Sequence, residues 1–393
     1  MKNKQLIEAT VVSCGNRHVR DRLLAGILTC FACIPALLAH PITPGDILIP
    51  LAPHDIQELK PGTLVKVQTI PLPSGYIFHG SQVSTVLVRS SDHHIFANVR
   101  DHAHSDMPTL LELDSSGGFI SALHPESGTI ALHQLIFDPA DSTQETVLGP
   151  VFKSSGGFGD VDALKPSTFS VSVKLSLADA NFAGIARDSL GNIYVGNYIT
   201  GIIEEYSSLG AYIKAFAKVT DAGSSHTILG MTFDDTDNLY VAQSDAHKVL
   251  KFSSKGVFLA AFMYPHSVAP IGVFFNHADH LLYVGDDGLP FITVLKTDGT
   301  FVTDDTSGPN VLYPAGTSVG QATVVPGLVP PTGGCSTAAV SVYSSGCAAS
   351  SIPLPIVCAL SPTLVTPTPP VVYFGPVVDL GVTYYAYCLL PAH

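Results

Sequence analysis

The chain has 393 residues, 13% of them charged and 46% hydrophobic, with no Trp and a formal net charge of −13. That length and apolar content allow a large core and exceed the usual size of one compact domain. The acidic balance argues against a nucleic-acid backbone as partner, and it suits solubility or cation attraction without naming a ligand.

In chain order, the first feature is a basic segment with Lys2, Lys4, Arg17, Arg20 and Arg22, followed by the uncharged run "LLAGILTCFACIPALLA" from Leu23 to Ala39. The run sits at the short limit for a membrane span. Its order of basic, apolar and small residues predicts a secretory signal cleaved near Ala39, and hence an extracellular or periplasmic protein. The basic part is longer than usual for a signal. An uncleaved anchor therefore stays open as the alternative, and only in that case is a membrane expected as a partner; Pro35 inside the run favours cleavage. Residues 1–39 carry five basic and two acidic groups, so their removal turns the charge from −13 to −16. It also removes Cys14, Cys30 and Cys33 and leaves Cys335, Cys347, Cys358 and Cys388. An even set in one region of an exported chain predicts disulfides, with three possible pairings.

From about residue 40 the chain repeats itself. "FAGIARDSLGNIYV", "ILGMTFDDTDNLYV" and "PIGVFFNHADHLLYV" align on Gly184, Gly230 and Gly272; "TVLVRSSDHHIFANV" fits with Val86 in the glycine position and "HQLIFDPADS" fits near Gln134. These anchors are 48, 50, 46 and 42 residues apart, a period that with several strands per unit marks propeller blades. Within one unit, "AGIARD" predicts a short inner strand A and "LGN" a tight turn, replaced by "TDN" and "ADH" in the next copies. "NIYVGN" then predicts strand B, "GIIEEYS" strand C and "AYIKAF" the outer strand D. One such sheet cannot bury both faces, whereas blades packed on one another can. At the N-terminal end, "GDILIPLAP" from Gly45 predicts a second strand, "TLVKVQ" a third and "SGYIF" a fourth, with the first strand missing. "TSVGQATVVP" near residue 317 would supply it and close the ring. The expectation is an all-β, six-bladed propeller of four-stranded antiparallel blades over residues 40–325, with a degenerate third blade at about 130–175.

The unit "GIARDSLGNIYVGNYITGIIEEYSSLGAYIKAF" resembles an NHL repeat, and "LGMTFDDTDNLYVAQSDAHKVLKFSSKG" resembles another. The resemblance covers roughly residues 45 to 325. It implies a six-bladed propeller and specifies function poorly, because propellers of this class include protein-binding modules, lactonases and metal-dependent lyases. A lactonase of this class would need an inward Glu with Asn or Asp ligands. No such Glu is placed by the alignment, which puts Glu204 and Glu205 on a C strand away from the axis.

Residues 326–393 form a charge-poor Pro/Thr/Val-rich tail: from Gln321 onward the one charged residue is Asp379. The tail reads as an extended linker, with an irregular cap, a disordered end or a reading-frame artefact as alternatives.

In each blade the A–B and C–D turns share one face, here the turn face, and the B–C loops and D–A connections share the other, the loop face. Histidines fall in the D–A connections. His79, His124, His226 and His266 precede their anchors by 7, 10, 4 and 6 residues. Neutral imidazoles converging there could hold one divalent metal, zinc or calcium, although the unequal offsets do not describe a symmetric ring. The B–C loops add "RDHAHSD" with His102, His104 and Asp106, "QSDAHK" with Asp245 and His247, and "GDDG" with Asp286. They are the candidate ligand-binding groups, and Asp and Gly also occur in such loops for turn geometry alone. "DDTDNL" at Asp234 lacks the Gly and distal Glu of a calcium loop and reads as a turn. There is no phosphate-binding G-x-x-x-x-G-K. The main expectation is an exported binding module with a protein, glycan or small-molecule ligand at the channel mouth on the loop face. The alternative is a metal-dependent lyase or lactonase-type hydrolase using the loop histidines.

Overall fold

The computed structural model describes residues 40–79, 83–125, 128–153, 159–177, 181–198, 200–219, 227–287, 289, 291–304, 318–327, 357–361, 371–379 and 382–389. Six antiparallel sheets form a ring. In blades 4, 5 and 6 the strands A to D are Phe182–Arg187, Ile193–Asn197, Ile202–Tyr206 and Tyr212–Lys218; Ile228–Phe233, Leu239–Gln243, Lys248–Phe252 and Phe258–Phe262; and Pro270–Asn276, Leu281–Asp286, Thr293–Lys296 and Phe301–Asp304. Blade 3 splits its inner strand into Thr129–Leu132 and Ile136–Phe137, beside Val147–Lys153, Gly159–Lys165 and Ser170–Leu177. Blade 2 likewise has Tyr76–Ile77 and Val86–Val88 on Ile95–Asp101, followed by Met107–Leu113 and Phe119–Leu123.

Blade 1 closes the ring. Thr323–Val324 pairs with Leu48 and Ile47 of the strand Ile47–Leu51, and Val319 bridges Leu51. The missing inner strand thus comes from the segment near residue 317, as its sequence predicts. The assignment of the next two strands changes. "TLVKVQ" falls on the outer strand, Lys66–Pro71, and the third strand is Asp55–Leu59; "SGYIF" contributes Tyr76–Ile77 to blade 2 instead. The third strand was hidden because its acidic Glu58 is fully buried, where its two oxygens accept hydrogen bonds from Thr43 N and Gln68 Nε2, both at 2.7 Å.

Alternation within the B strands builds the core. Ile47, Ile49 and Leu51 pack toward blade 6 with Tyr283 and Val294, whereas Leu48 packs toward blade 2 with Val86 and Ile95. The same pattern gives one apolar cluster at each of the six blade interfaces. Both faces of a central strand are covered, so strands such as Ile193–Asn197 are buried throughout.

The repeated "D-x-x-x-N-x-Y" is a turn device. Asp188 Oδ1 accepts from Leu190 N and Asn192 N, and Oδ2 accepts from Asn192 Nδ2 and from Tyr194 Oη on strand B. Asp234 does the same for Thr236, Asn238 and Tyr240. Burial, with the neighbouring carboxylates adding to it, pushes the Tyr194 and Tyr240 hydroxyls well above their usual range, so both remain donors. The left-handed position of each turn is taken by Gly191, Asp237 and His280, the residues that "LGN", "TDN" and "ADH" place there.

At the axis the inner strands nearly touch. Each of the three aligned glycines lies at a register shift in its A–B pairing. A Cβ on Gly230 would sit 2.7 Å from Ile271 O, and one on Gly272 would sit 2.6 Å from Gln321 Cα. Strand A presents backbone groups to the channel, and Gln134 satisfies three of them. Its Oε1 accepts from Ile185 N and Met231 N, both at 2.9 Å, and its Nε2 donates to Met231 O at 2.8 Å. Gln134 is fully buried and ties blade 3 to blades 4 and 5.

The tail includes three strands, Val357–Ser361, Val371–Asp379 and Val382–Leu389, in an antiparallel sheet with Val382–Leu389 in the middle. The linker reading missed them because proline-rich flanks hide two β-rich runs, "VVYFGPVVD" and "VTYYAYCL". Residues 1–39, with the signal or anchor, lie outside the described residues, as do Cys335, Cys347 and His226.

Two stability measurements check the axis. Gly230→Ala should lower the free energy of unfolding by about 1–3 kcal/mol through overpacking against backbone. Gln134→Leu should lower it by about 2–4 kcal/mol, because two buried N–H groups lose their acceptor. Denaturant melts that match the unaltered chain would show that the axis tolerates both changes.

Candidate functional site

The loop face of blade 2 holds the densest group of titratable side chains. Strand B ends at Asp101, and the next three residues, His102–His104, form one 3-10 turn capped by the Asp101 side chain. Asp101 Oδ1 accepts from Ala103 N at 2.9 Å, and Oδ2 accepts from His104 Nδ1 at 2.7 Å. Across the loop, His124 follows strand D. Its Nδ1 meets Thr109 Oγ1 at 2.9 Å, which turns Nε2 toward Asp101 Oδ2, 3.9 Å away. The two imidazole rings are 5.5 Å apart. Asp101, His104 and His124 each offer a ligand atom, and these atoms lie within 4.8 Å of one another. The Asp101 side chain is only 3% exposed, whereas that of His104 is 65% exposed.

Among the described residues this is the only group of three or more such side chains close enough to share an ion. It unites one D–A histidine with one B–C histidine through an aspartate that the sequence reading passed over. Asp101 stands beside His102 in "RDHAHSD", but its inward direction at the end of strand B follows from the fold. The remaining candidates lie apart from this group. His102 Nδ1 hydrogen-bonds the carboxylate of Asp106 within their own loop. His79 is half-buried, and burial, with Arg100 second, lowers its pKa. His266 is exposed, with a left-handed backbone and its ring edge-on to Phe291 at 6.0 Å. Asp245 is in the B–C turn of blade 5, and His247 there hydrogen-bonds Val268 O through Nδ1.

Asp286 has a structural task. It is 1% exposed and accepts from Tyr264 Oη at 3.0 Å, Val268 N at 3.1 Å and Ala269 N at 2.9 Å, which staples the D–A connection into blade 6. Burial raises its pKa despite these donors.

Two neighbours frame the blade 2 group. Arg100 donates to Asp106 O at 2.8 Å and to Ile130 O at 2.6 Å, joining the B–C loop to blade 3. The ring of His133 is enclosed although the residue as a whole is only half-buried, and its Nδ1 has no hydrogen-bond partner. Burial, with Arg100 second, holds its pKa down to about 4, so it is neutral near pH 7.

No protein-family model and no curated protein matches this sequence. Solved structures do match. A chain of a nidogen/laminin complex aligns with TM-score 0.55 and 13% identity, over 71% of this chain and 98% of that one. A protein of unknown function from Bacteroides caccae aligns with TM-score 0.50 and 13% identity, over 71% and 98%. A virginiamycin B lyase from Staphylococcus aureus aligns with TM-score 0.46 and 12% identity, over 69% and 88%. Identities this low speak to the fold alone. With the strand order and the ring closure, the first of these likenesses identifies the fold as a six-bladed β-propeller.

Proposed function

We propose that the chain is a binding propeller whose loop face engages a protein, glycan or small-molecule ligand, with a divalent cation held by Asp101, His104 and His124 as part of that site. The observation that carries the reading is the meeting of one buried carboxylate and two imidazoles, from two separate connections, on that face. One oxygen and two nitrogen donors suit zinc; calcium prefers oxygen and would find one protein ligand of the three. Two of the groups are already oriented, Asp101 by Ala103 N and His124 by Thr109, as outer hydrogen bonds orient the ligands of metal sites. Tetrahedral zinc needs donors about 3.4 Å apart, a closure that rotation of the exposed His104 supplies. The ion would take the place of the proton between His104 and Asp101 and offset a charge that has little contact with water.

Three protein donors leave a fourth position on zinc. In a binding module that position takes an oxygen or nitrogen of the ligand. The same count favours, as a second reading, a hydrolase or lyase in which the position holds an activated water or polarises a carbonyl. The fold accommodates protein binding, since a propeller of this kind occurs in a nidogen/laminin complex.

Export and disulfide formation belong to the same proposal. In the tail sheet, Cys358 is the Cα partner of Cys388. Among the three pairings, this register supports Cys358 with Cys388.

Calorimetric titration of the purified chain with zinc should show about one equivalent bound. Thr109→Val should weaken binding about tenfold, and His104→Ala with His124→Ala should abolish it. No zinc uptake, or uptake that survives the double replacement, would refute the metal site. Turnover of lactones or esters by the zinc-loaded chain, lost in the same double variant, would select the enzyme reading. Peptide mapping without reduction should recover Cys358 linked to Cys388; any other pairing, or four free thiols, would refute the register argument.

A further inference from the structure

The strand ladder of blade 2 determines what stands beside Asp101. Its Cα partner is Tyr76 on one side and Met107 on the other. Residues directly opposite one another in an antiparallel ladder carry their side chains on the same face of the sheet, with Cβ atoms about 4.5–5.5 Å apart. Tyr76 and Met107 therefore flank the Asp101 carboxylate in one row across three strands. Thr109 stands two residues beyond Met107 on that face, where it meets His124 Nδ1. Both flanking side chains reach solvent: Tyr76 is half-buried and Met107 is 36% exposed. Phe119 extends the row. Its ring lies nearly parallel to that of Tyr76, at an interplanar angle of 18° with centroids 6.1 Å apart, and the residue is 54% exposed. Burial, with the Asp101 charge second, raises the pKa of the Tyr76 hydroxyl, so near pH 7 the ring adds no second anion beside the carboxylate.

The Asp101, His104 and His124 group is thus bordered by two rings and a thioether. Binding sites commonly combine a few polar groups that fix a ligand with apolar side chains that cover the rest of it. Aromatic rings gain from offset stacking at centroid distances of about 4.5–7 Å, and a thioether gains from a ring edge about 5 Å away. Tyr76 and Phe119 already stack on one another in this way, and a ring on a ligand would lengthen the stack. Three side chains make a strip the size of one or two rings, whereas a protein partner covers about 20–30 residues a side.

We infer that the ligand of this site is a small molecule with an aromatic ring one or two bonds from its metal-binding oxygen atoms, and that Tyr76, Phe119 and Met107 are the side chains that select the ring. The inference rests on the zinc reading above. It adds to that reading the chemical class of the ligand and the residues that recognise it.

The test titrates the zinc-loaded chain by calorimetry with acetohydroxamate, cyclohexanecarbohydroxamate and benzohydroxamate. All three offer zinc the same pair of oxygens; the second adds bulk and the third adds a flat ring. Benzohydroxamate should bind about tenfold more tightly than acetohydroxamate and about threefold more tightly than the cyclohexane compound. Tyr76→Leu should abolish the preference for the flat ring, whereas Tyr76→Phe should keep it. If Tyr76→Leu does not fold, Phe119→Leu takes its place and should weaken the same preference. Equal binding of the three probes, tightest binding of the cyclohexane compound, no binding of benzohydroxamate, or a preference that survives the leucine replacement would overturn the inference and leave the zinc reading standing. Absence of zinc uptake, which is seen before any hydroxamate is added, would overturn both.

Discussion

The ring depends on how closely six inner strands can approach one axis. Strand A carries backbone donors and acceptors on its channel side that no neighbouring strand can pair, because the sheet ends there. Glycine at the aligned positions lets adjacent strands come within contact distance, and Gln134 satisfies the backbone groups exposed by that approach. The two devices are complementary. Without small residues the strands would be held apart, and without the glutamine their close approach would bury unpaired amides. Six apolar clusters then seal the blade interfaces, and the late segment around Val319 and Thr323 joins the two ends of the ring.

This construction separates scaffold from chemistry. The turn face is regular in blades 4 and 5, where each A–B turn holds an Asp, a left-handed residue and the hydroxyl of a buried Tyr. The loop face has no such repeated demand. Blade 2 uses that freedom to place an aspartate at a strand end, a histidine in a 3-10 turn and a second histidine after its outer strand. Blade 6 uses a superficially similar aspartate, Asp286, to fasten its own connection. Two acidic residues in equivalent loops thus have different tasks, and their hydrogen-bond partners tell them apart.

The channel itself is divided. The engaged side chain of Gln134 and the unsatisfied oxygen of Gln321 mark its deep level, and the acidic turns mark its outlet. The two mouths differ in their side chains: Asp101, His104 and His124 gather on the loop face, and the aspartates of the A–B turns surround the other mouth.

Much of the architecture was legible in the sequence because it follows from local, repeated physics. The period of the aligned anchors, the turn residues and the alternation of the B strands each report a constraint that recurs from blade to blade, so the six-bladed ring and its late closure could be read without coordinates. Strand Asp55–Leu59 escaped because a buried, doubly hydrogen-bonded Glu58 looks like a surface residue in a pattern of polar and apolar letters. The loop histidines were visible as a class, and His124 and His266 do lie between an outer strand and the next inner one, whereas His79 falls between the two pieces of blade 2's own inner strand; which of them meet was not legible. His104 and His124 are 20 residues apart, and Asp101 joins them only because strand B ends there with its side chain turned inward. Sequence by itself determined the blades, since burial of both sheet faces demands neighbours of the same kind. Only the tertiary structure decided which side chains share a site, because that depends on distances across loops and across the channel that no local spacing records.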